Sequence, residues 1–128
     1  MELINPIVGM FVALFVKHFV IDFPLQTAYQ YKNKGLYGHP GGLVHAGLHV
    51  VGSLFVLMIV LGVTPLLIIL CLAEGVAHYH IDWAKTRLTD DLRLTPEHNL
   101  FWWLLGADQF LHYMTYAAMV LVYFHYFA

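Results

Sequence analysis

A chain of 128 residues with 60% hydrophobic and only 11% charged side chains cannot clothe a water-facing surface, for which an ordinary soluble domain uses about 25% charged residues. Its formal net charge of -2 carries no nucleic-acid signal, so no nucleic-acid partner is expected. The one cysteine, Cys71, excludes a disulfide framework and dithiol chemistry within a single chain.

The first apolar run, Leu3 to Phe23, is interrupted only by Asn5, Lys17, His18 and Asp22, and approaches the roughly 20 residues a helix needs to cross a bilayer. Ahead of it, MELINPIVGM offers neither a basic segment nor a small-residue cleavage site, so this helix is expected to stay rather than be removed as a signal peptide. Pro24 to Gly42 reads as a loop. The second run, Leu43 to Leu61, holds no acid, lysine or arginine. Gly62-Val63-Thr64-Pro65 supplies a glycine past one helix, a threonine N-cap and a proline at the next first turn, the signature of a tight antiparallel connection. A third span follows from about Pro65 to Trp83, then a loop from roughly Ala84 to Leu94. Thr95-Pro96-Glu97 gives the start signal of a fourth helix, whose span runs from about Leu100 to Phe127 with Trp102 and Trp103 as interfacial anchors. No internal repeat interrupts this series. The expected architecture is one domain over residues 1–128: an all-α integral membrane protein, a four-transmembrane-helix antiparallel bundle with spans at about 3–23, 43–61, 65–83 and 100–127.

Four crossings put both termini on one side and both long loops on the other. Those loops hold Lys32, Lys34, Lys85, Arg87 and Arg93, while the termini and short turn hold no lysine or arginine. The positive-inside bias therefore makes the long loops cytoplasmic and the termini non-cytoplasmic. Lys17 lies near the cytoplasmic end and is expected to snorkel toward it.

Every span carries ionisable residues four apart: His18 and Asp22, His45 and His49, Glu74 with His78 and Asp82, and Asp108 and His112. At that spacing two side chains share one helix face, so one helix can supply two ligands to one metal or one ligand to each of two. Depth strengthens the pattern. At 1.5 Å per residue, His18, His49, His78 and His112 fall roughly 7 to 15 Å inside the cytoplasmic interface. Asp22, His45, Asp82 and Asp108 fall about one helical turn nearer the cytoplasm, giving a mostly histidine tier and a mostly aspartate tier. Ionisable groups at such depth are costly and normally face a bundle interior or a wet cavity.

Taken singly, these residues have plainer explanations. Asp22 and Asp82 read equally well as interfacial helix-end residues, with Asp82 paired to Lys85, and a lone histidine in a bundle is more often a packing residue than a ligand. Together they favour a shared polar or metal site. His80 points to the face opposite His78 and Asp82, and His39, His98 and His125 fall in loops or near membrane surfaces. Glu74, one turn deeper than His78, reads as a general base, a further ligand or a buried acid, and Gly47, Gly75 and Ala77 as close-packing positions.

KHFVIDFPLQT, the KNK of the first loop, HAGLH, HYHIDWAK and DQFLH follow one another as in a family of small bacterial and phage-encoded membrane proteins classed only as a domain of unknown function, which this chain resembles over nearly its whole length. The resemblance implies that Lys17, His18, Asp22, Gln26, His45, His49, His78, Asp82, Lys85, Asp108, Gln109 and His112 belong together, and that the membrane is a bacterial inner (plasma) membrane. It carries no activity.

Imidazole and carboxylate without thiolate suit a divalent metal, with zinc favoured over iron or manganese. The eight candidate ligands His18, Asp22, His45, His49, His78, Asp82, Asp108 and His112 exceed the needs of one catalytic zinc, so either some orient the others or two ions bind. The expected function is a membrane-embedded metal-dependent hydrolase acting on a lipid-like ester or amide near the cytoplasmic leaflet. Asp82 or Glu74 would receive the proton of the activated water, and Lys85 and Gln109 would steady an anionic headgroup or oxyanion. The alternatives are a proton or metal-ion transporter or channel component, and a non-enzymatic membrane protein with a structural metal. The apolar segments Gly52 to Leu61 and Ala117 to Tyr123 argue against a continuous conduit. A haem protein leaves the aspartates unused. The expected partners are the bilayer and a lipid-like substrate, and a homo-oligomer is compatible with the composition.

Overall fold

A computed structural model describes residues 5–127 of the chain; Leu3 and Ile4, where the first span was expected to begin, lie outside them. Among the described residues the chain is all helix and turn, with α1 at Pro6–Asp22, α2 at Ala28–Asn33, α3 at Pro40–Leu61, α4 at Pro65–Asp91 and α5 at Asn99–Phe127. The four long helices close a ring in the order α1, α3, α4, α5, and the short α2 packs on α3.

Local chemistry sets the ends of these helices. Asn5 accepts a hydrogen bond from the Ile7 amide at 2.9 Å, with Pro6 in the first turn of α1. The Gly62-to-Pro65 turn forms as expected. Gly62 takes φ 76°, a left-handed conformation that favours a residue without Cβ, and Thr64 caps α4 by accepting from the Leu67 amide at 3.1 Å.

Three boundaries depart from the sequence reading. The loop after Phe23 contains α2, capped reciprocally by Thr27 and Gln30, and α3 starts at Pro40 because His39 caps it through the Gly41 amide at 3.0 Å. The third long helix does not end near Trp83 but continues to Asp91. Ala84 to Leu88 contain no helix breaker, so the fall in hydropathy there marks a change of surroundings, not of backbone. Conversely, Thr95-Pro96-Glu97 forms a turn, with the Thr95 amide donating to His98 Nδ1 at 3.0 Å, and α5 starts only at Asn99.

Two helices, α3 and α4, are long and apolar enough to cross a membrane. Burial is inverted relative to a water-soluble domain. Val12, Phe19, Val51, Phe55, Ile59, Ile69 and Leu121 are exposed, whereas Lys17, Asp22, Glu74, Asp82, Asp108 and five histidines are buried. At the end of the ring formed by the C-terminus of α3 and the N-terminus of α4, the interior is apolar, filled by Met10, Leu14, Leu57, Leu67, Cys71 and Met119. The polar residues occupy the other half.

Close approach of α3 and α4 depends on Gly75, where an added Cβ would collide with Cγ2 of Val50. Val50 is β-branched and has few rotamers available in a helix. Gly75→Ala is therefore expected to lower stability in detergent by about 1–3 kcal/mol, the usual range for overpacking. Adding Val50→Ala should restore most of the loss, and a thermal melt of the three variants checks both expectations.

Candidate metal centre

The i, i+4 pairs become one cluster because the ring brings the C-terminal half of α1 and the middle of α4 level with the N-terminal half of α3 and the middle of α5. The carboxylate of Asp22 sits at the centre. Its Oδ1 lies 2.9 Å from His49 Nε2, 3.0 Å from His45 Nε2 and 3.8 Å from His78 Nε2. His45 Nε2 and His78 Nε2 stand 3.3 Å apart. On the other side of His78, Asp82 Oδ2 is 3.3 Å from His78 Nε2, and Asp82 Oδ1 is 3.9 Å from His112 Nε2.

These atoms form two groups able to hold a metal: Asp22, His45, His49 and His78, and then His78, Asp82 and His112, with the donor atoms of each group within 4.8 Å of one another. A tetrahedral ion with ligands about 2.0–2.1 Å away separates its donors by about 3.3–3.4 Å. Most distances in the first group lie within a few tenths of an ångström of that edge. Every member of both groups is buried.

The second group supplies a direct test of fit. His112 Nδ1 lies 2.8 Å from the carbonyl oxygen of Asp108, to which it donates. That bond leaves a lone pair on Nε2, the arrangement a ligating histidine adopts. This Nε2 is buried and has no hydrogen-bond partner among the described residues, as is also true of Asp108 Oδ1. A buried acceptor left without a partner costs about 1–3 kcal/mol, and a cation between His112 and Asp82 removes that cost.

His18 and Asp108, the remaining expected ligands, border the groups without joining them. His18 Nε2 contacts Asp22 Oδ2 at 3.1 Å and Gln109 Oε1 at 3.2 Å, and its Nδ1 meets the Tyr116 hydroxyl at 2.8 Å. Asp108 Oδ2 accepts from Gln109 Nε2 at 3.1 Å. The histidine tier is nonetheless real: ring centroids are 3.6 Å apart for His49 and His78, 4.1 Å for His78 and His112, and 5.0 Å for His18 and His112. His39 and His98 serve as the local backbone caps described above. His80 binds the Val76 carbonyl and Tyr37 on the outside, and His125 is exposed.

Lys17 overturns the snorkelling expectation. It is only 4% exposed and turns inward, where Nζ donates to Glu74 Oε1 at 3.1 Å and Tyr116 Oη at 3.0 Å, and lies 3.2 Å from His49 Nδ1. Glu74 and Tyr116 thus take two donors of the ammonium, the partners that desolvation demands of a buried charge; His49 Nδ1 accepts the third only in the tautomer that carries its proton on Nε2. Glu74 Oε2 accepts from Ser53 at 3.0 Å. A hydrogen-bonded layer of Lys17, Ser53, Glu74 and Tyr116 therefore lies between the cluster and the apolar core. Tyr116 and Ser53 were not anticipated, although Tyr116 continues the Asp108, His112 series by one more step of four. Only acids and histidines had been compared at that spacing.

Asp82 does not pair with Lys85, as its position one turn earlier had suggested. Its partner is Lys34 at 2.8 Å, the residue after α2, buried by the packing of α2 on α3. Above the cluster, at the end of the ring that carries α2, opens a cavity of about 240 Å³ reached by Asp22, Asp82, Asp108, Gln109, Lys34 and Lys85.

A family model described as a protein of unknown function, DUF3307, matches residues 10–128. No curated protein and no solved structure matches the chain.

Proposed function

The chain belongs to the DUF3307 family, whose description assigns no chemistry, and from its own side chains we propose that it is a membrane-embedded, metal-dependent hydrolase acting on a lipid-like ester or amide. The observation that carries the reading is the convergence of His45, His49, His78 and His112 with Asp22 and Asp82, all buried, directly beneath a cavity open at one end of the ring. In this reading α1, α3, α4 and α5 all cross the membrane, and the long loops face the cytoplasm at an inner membrane. The inverted burial supports four crossings, since apolar side chains cover the outside of all four helices.

The donor set suits zinc. Asp22, His45 and His49 on one side and Asp82 with His112 on the other would hold an ion, with His78, whose Nε2 has a single lone pair, completing whichever group is filled. When bound, a divalent ion supplies Lewis-acid activation of water and of a substrate carbonyl or phosphoryl oxygen. The chain does the rest. Asp108 Oδ1, without a hydrogen-bond partner among the described residues and with its residue on the cavity wall, is placed to receive a proton. Gln109 holds Asp108 by its other oxygen and bridges to His18. Both carboxylate oxygens of Glu74 are engaged, by Lys17 and Ser53; its role is to hold the ammonium, not to act as a base.

One-sided access favours hydrolysis over transport. Below the Lys17–Glu74 layer the interior is closed by Leu14, Leu57, Leu67 and Cys71, and no polar route to the opposite end runs among the described residues.

Asp22→Asn tests the metal reading, because it keeps the shape of the central residue and removes its charge. Metal counted per chain in detergent-purified protein should fall, with affinity reduced by at least about 10- to 100-fold, the cost of losing even an outer partner of a ligand. A variant that retains full metal at wild-type affinity removes Asp22 from the coordination sphere. A stoichiometry well below one ion per chain in the metal-replete wild type removes the central claim.

Sidedness is tested separately. A cysteine at Lys32, exposed on α2 in the same long loop, should resist a membrane-impermeant thiol reagent in intact cells, while one appended after Ala128 should react; Cys71 is buried and contributes no background. The reverse labelling would place the cavity at the outer leaflet.

A further inference from the structure

We propose that the substrate of this site is a phosphate ester of a lipid, its phosphate seated in the cavity between Lys34, Lys85 and the metal groups. This rests on the hydrolase reading above and adds the chemical class of the bond cleaved.

Charge is the first argument. Asp22, Asp82, Asp108, Lys34 and Lys85 all line the cavity. Three carboxylates against two ammonium groups leave the cavity negative when metal-free. One divalent ion reverses the sign. An anion is therefore repelled by the metal-free protein and attracted by the loaded one, whereas a neutral carboxylic ester or amide gives the excess positive charge nothing to neutralise. Lys34 is committed to Asp82 at 2.8 Å. Lys85 has no carboxylate partner among the described residues, sits half-buried on α4, and faces the same cavity. With no direct ion pair to break, its ammonium can turn to an incoming anion, and ammonium groups are established phosphate binders.

Size and wall chemistry give the second argument. At about 240 Å³ the cavity is smaller than a typical pocket for a whole drug-sized ligand, so it fits a phosphate with a short polar alcohol and not the chains of a lipid. The acyl part has an exit of its own. Phe23 of the α1 end and Phe101 and Leu105 of α5 form an apolar wall of the cavity, on the side where α1 and α5 meet. Phe23 is largely exposed, and so are Phe19 and Phe110 farther along those helices. A lipid entering sideways between α1 and α5 would keep its chains against these rings and present its phosphate to Lys85. Gln26 and Gln109, also on the wall, offer neutral donors for ester or hydroxyl oxygens.

The reaction is a redox-neutral hydrolysis. Water oxygen bonds to phosphorus as one P–O ester bond breaks. One water proton passes through Asp108 to the departing alkoxide, giving an alcohol, and the other remains on the new phosphate monoester until it ionises. No reactant besides water is consumed.

The test uses metal-loaded full-length protein in a phosphate-free detergent with three probes: phosphatidylglycerol, a neutral diacylglycerol with the same chains, and a chain-free phosphodiester, bis(p-nitrophenyl) phosphate. Phosphorus NMR reads new phosphate monoester, and fatty-acid titration reads carboxylic ester cleavage. Phosphatidylglycerol should yield a phosphate monoester and no fatty acid, at a kcat/KM at least about 10-fold above that of the chain-free diester. Lys85→Gln should lower that kcat/KM by about 10- to 100-fold, the value of one hydrogen bond to a charged group, with bound metal unchanged. Arg87→Gln, which removes an exposed cation paired to Asp91 on the same helix, should leave it unchanged. Fatty-acid release without phosphate monoester overturns this inference and leaves the hydrolase reading standing. So does metal-loaded protein inert to phosphatidylglycerol but active on an amide or carboxylic ester. Equal turnover of the chain-free diester overturns the lipid part, and an unchanged Lys85→Gln overturns the phosphate seat. Failure of the wild type to hold any metal overturns the parent reading instead.

Discussion

His78→Ala is expected to abolish high-affinity metal binding altogether, a larger loss than removal of any other histidine. His78 is the only residue common to both donor groups. Its Nε2 stands 3.3 Å from His45 Nε2 on one side and 3.3 Å from Asp82 Oδ2 on the other, so truncation opens both sets at once. His112→Ala leaves Asp22, His45, His49 and His78 intact, and His49→Ala leaves Asp82 with His78 and His112. Loss of an outer partner of a ligand already costs about 10- to 100-fold in affinity, so the His78 variant should exceed about 100-fold while the His49 and His112 variants fall short of it. His80→Ala, on the outer face of the same helix, should retain wild-type metal. Chelator competition with elemental counting ranks the four, and helical circular dichroism shows that each variant is folded. A His78→Ala protein binding metal as tightly as His112→Ala would mean that the groups do not share this residue.

Neutralising either member of the Lys17–Glu74 pair is expected to cost about 3–5 kcal/mol, because breaking a buried pair leaves one uncompensated charge out of water. The two side chains are 2% and 1% exposed and 3.1 Å apart. Glu74→Gln strands the ammonium beside His49 and Tyr116, and Lys17→Met leaves the carboxylate a hydrogen bond from Ser53 and no full positive charge beside it. Replacing both, as Lys17→Met with Glu74→Met, removes both desolvation penalties and should recover most of the stability. It should hold metal at least as tightly as the wild type, since removal of the ammonium beside His49 Nδ1 lets that nitrogen carry the ring proton and leaves Nε2 its lone pair. Denaturant unfolding in micelles measures the first effect and metal titration the second. Single variants as stable as wild type would show that water reaches this layer and that it does not seal the cluster from the apolar core.

The fold was legible where one signal dominates. Long apolar runs broken by Gly62, Thr64 and Pro65 define helices whatever surrounds them, because a backbone in an apolar setting has to satisfy its own hydrogen bonds. The boundaries at Trp83 and Thr95 were misplaced for the complementary reason. Hydropathy reports the environment of a side chain, and a helix such as α4 can leave the apolar zone without ending. The short α2 was hidden in a polar stretch where only its capping pair, Thr27 and Gln30, marks it.

The candidate cluster was legible as a set and not as a constellation. Periodicity of four puts His18 with Asp22, His45 with His49, His78 with Asp82 and Asp108 with His112 on common faces, and the cost of burying such groups requires those faces to point inward. That much follows from the sequence by itself. Which atoms meet depends on helix rotation and on the distances between axes, and only the tertiary structure decides those. It sets Asp22 between three histidines from two other helices, makes His78 common to both groups and moves His18 and Asp108 to the border. It also turns Lys17 inward to Glu74 and brings Lys34 to Asp82. A long flexible side chain near a helix end can reach water or a buried partner, and its sequence position is the same in both cases; the carboxylate waiting across the bundle makes the choice.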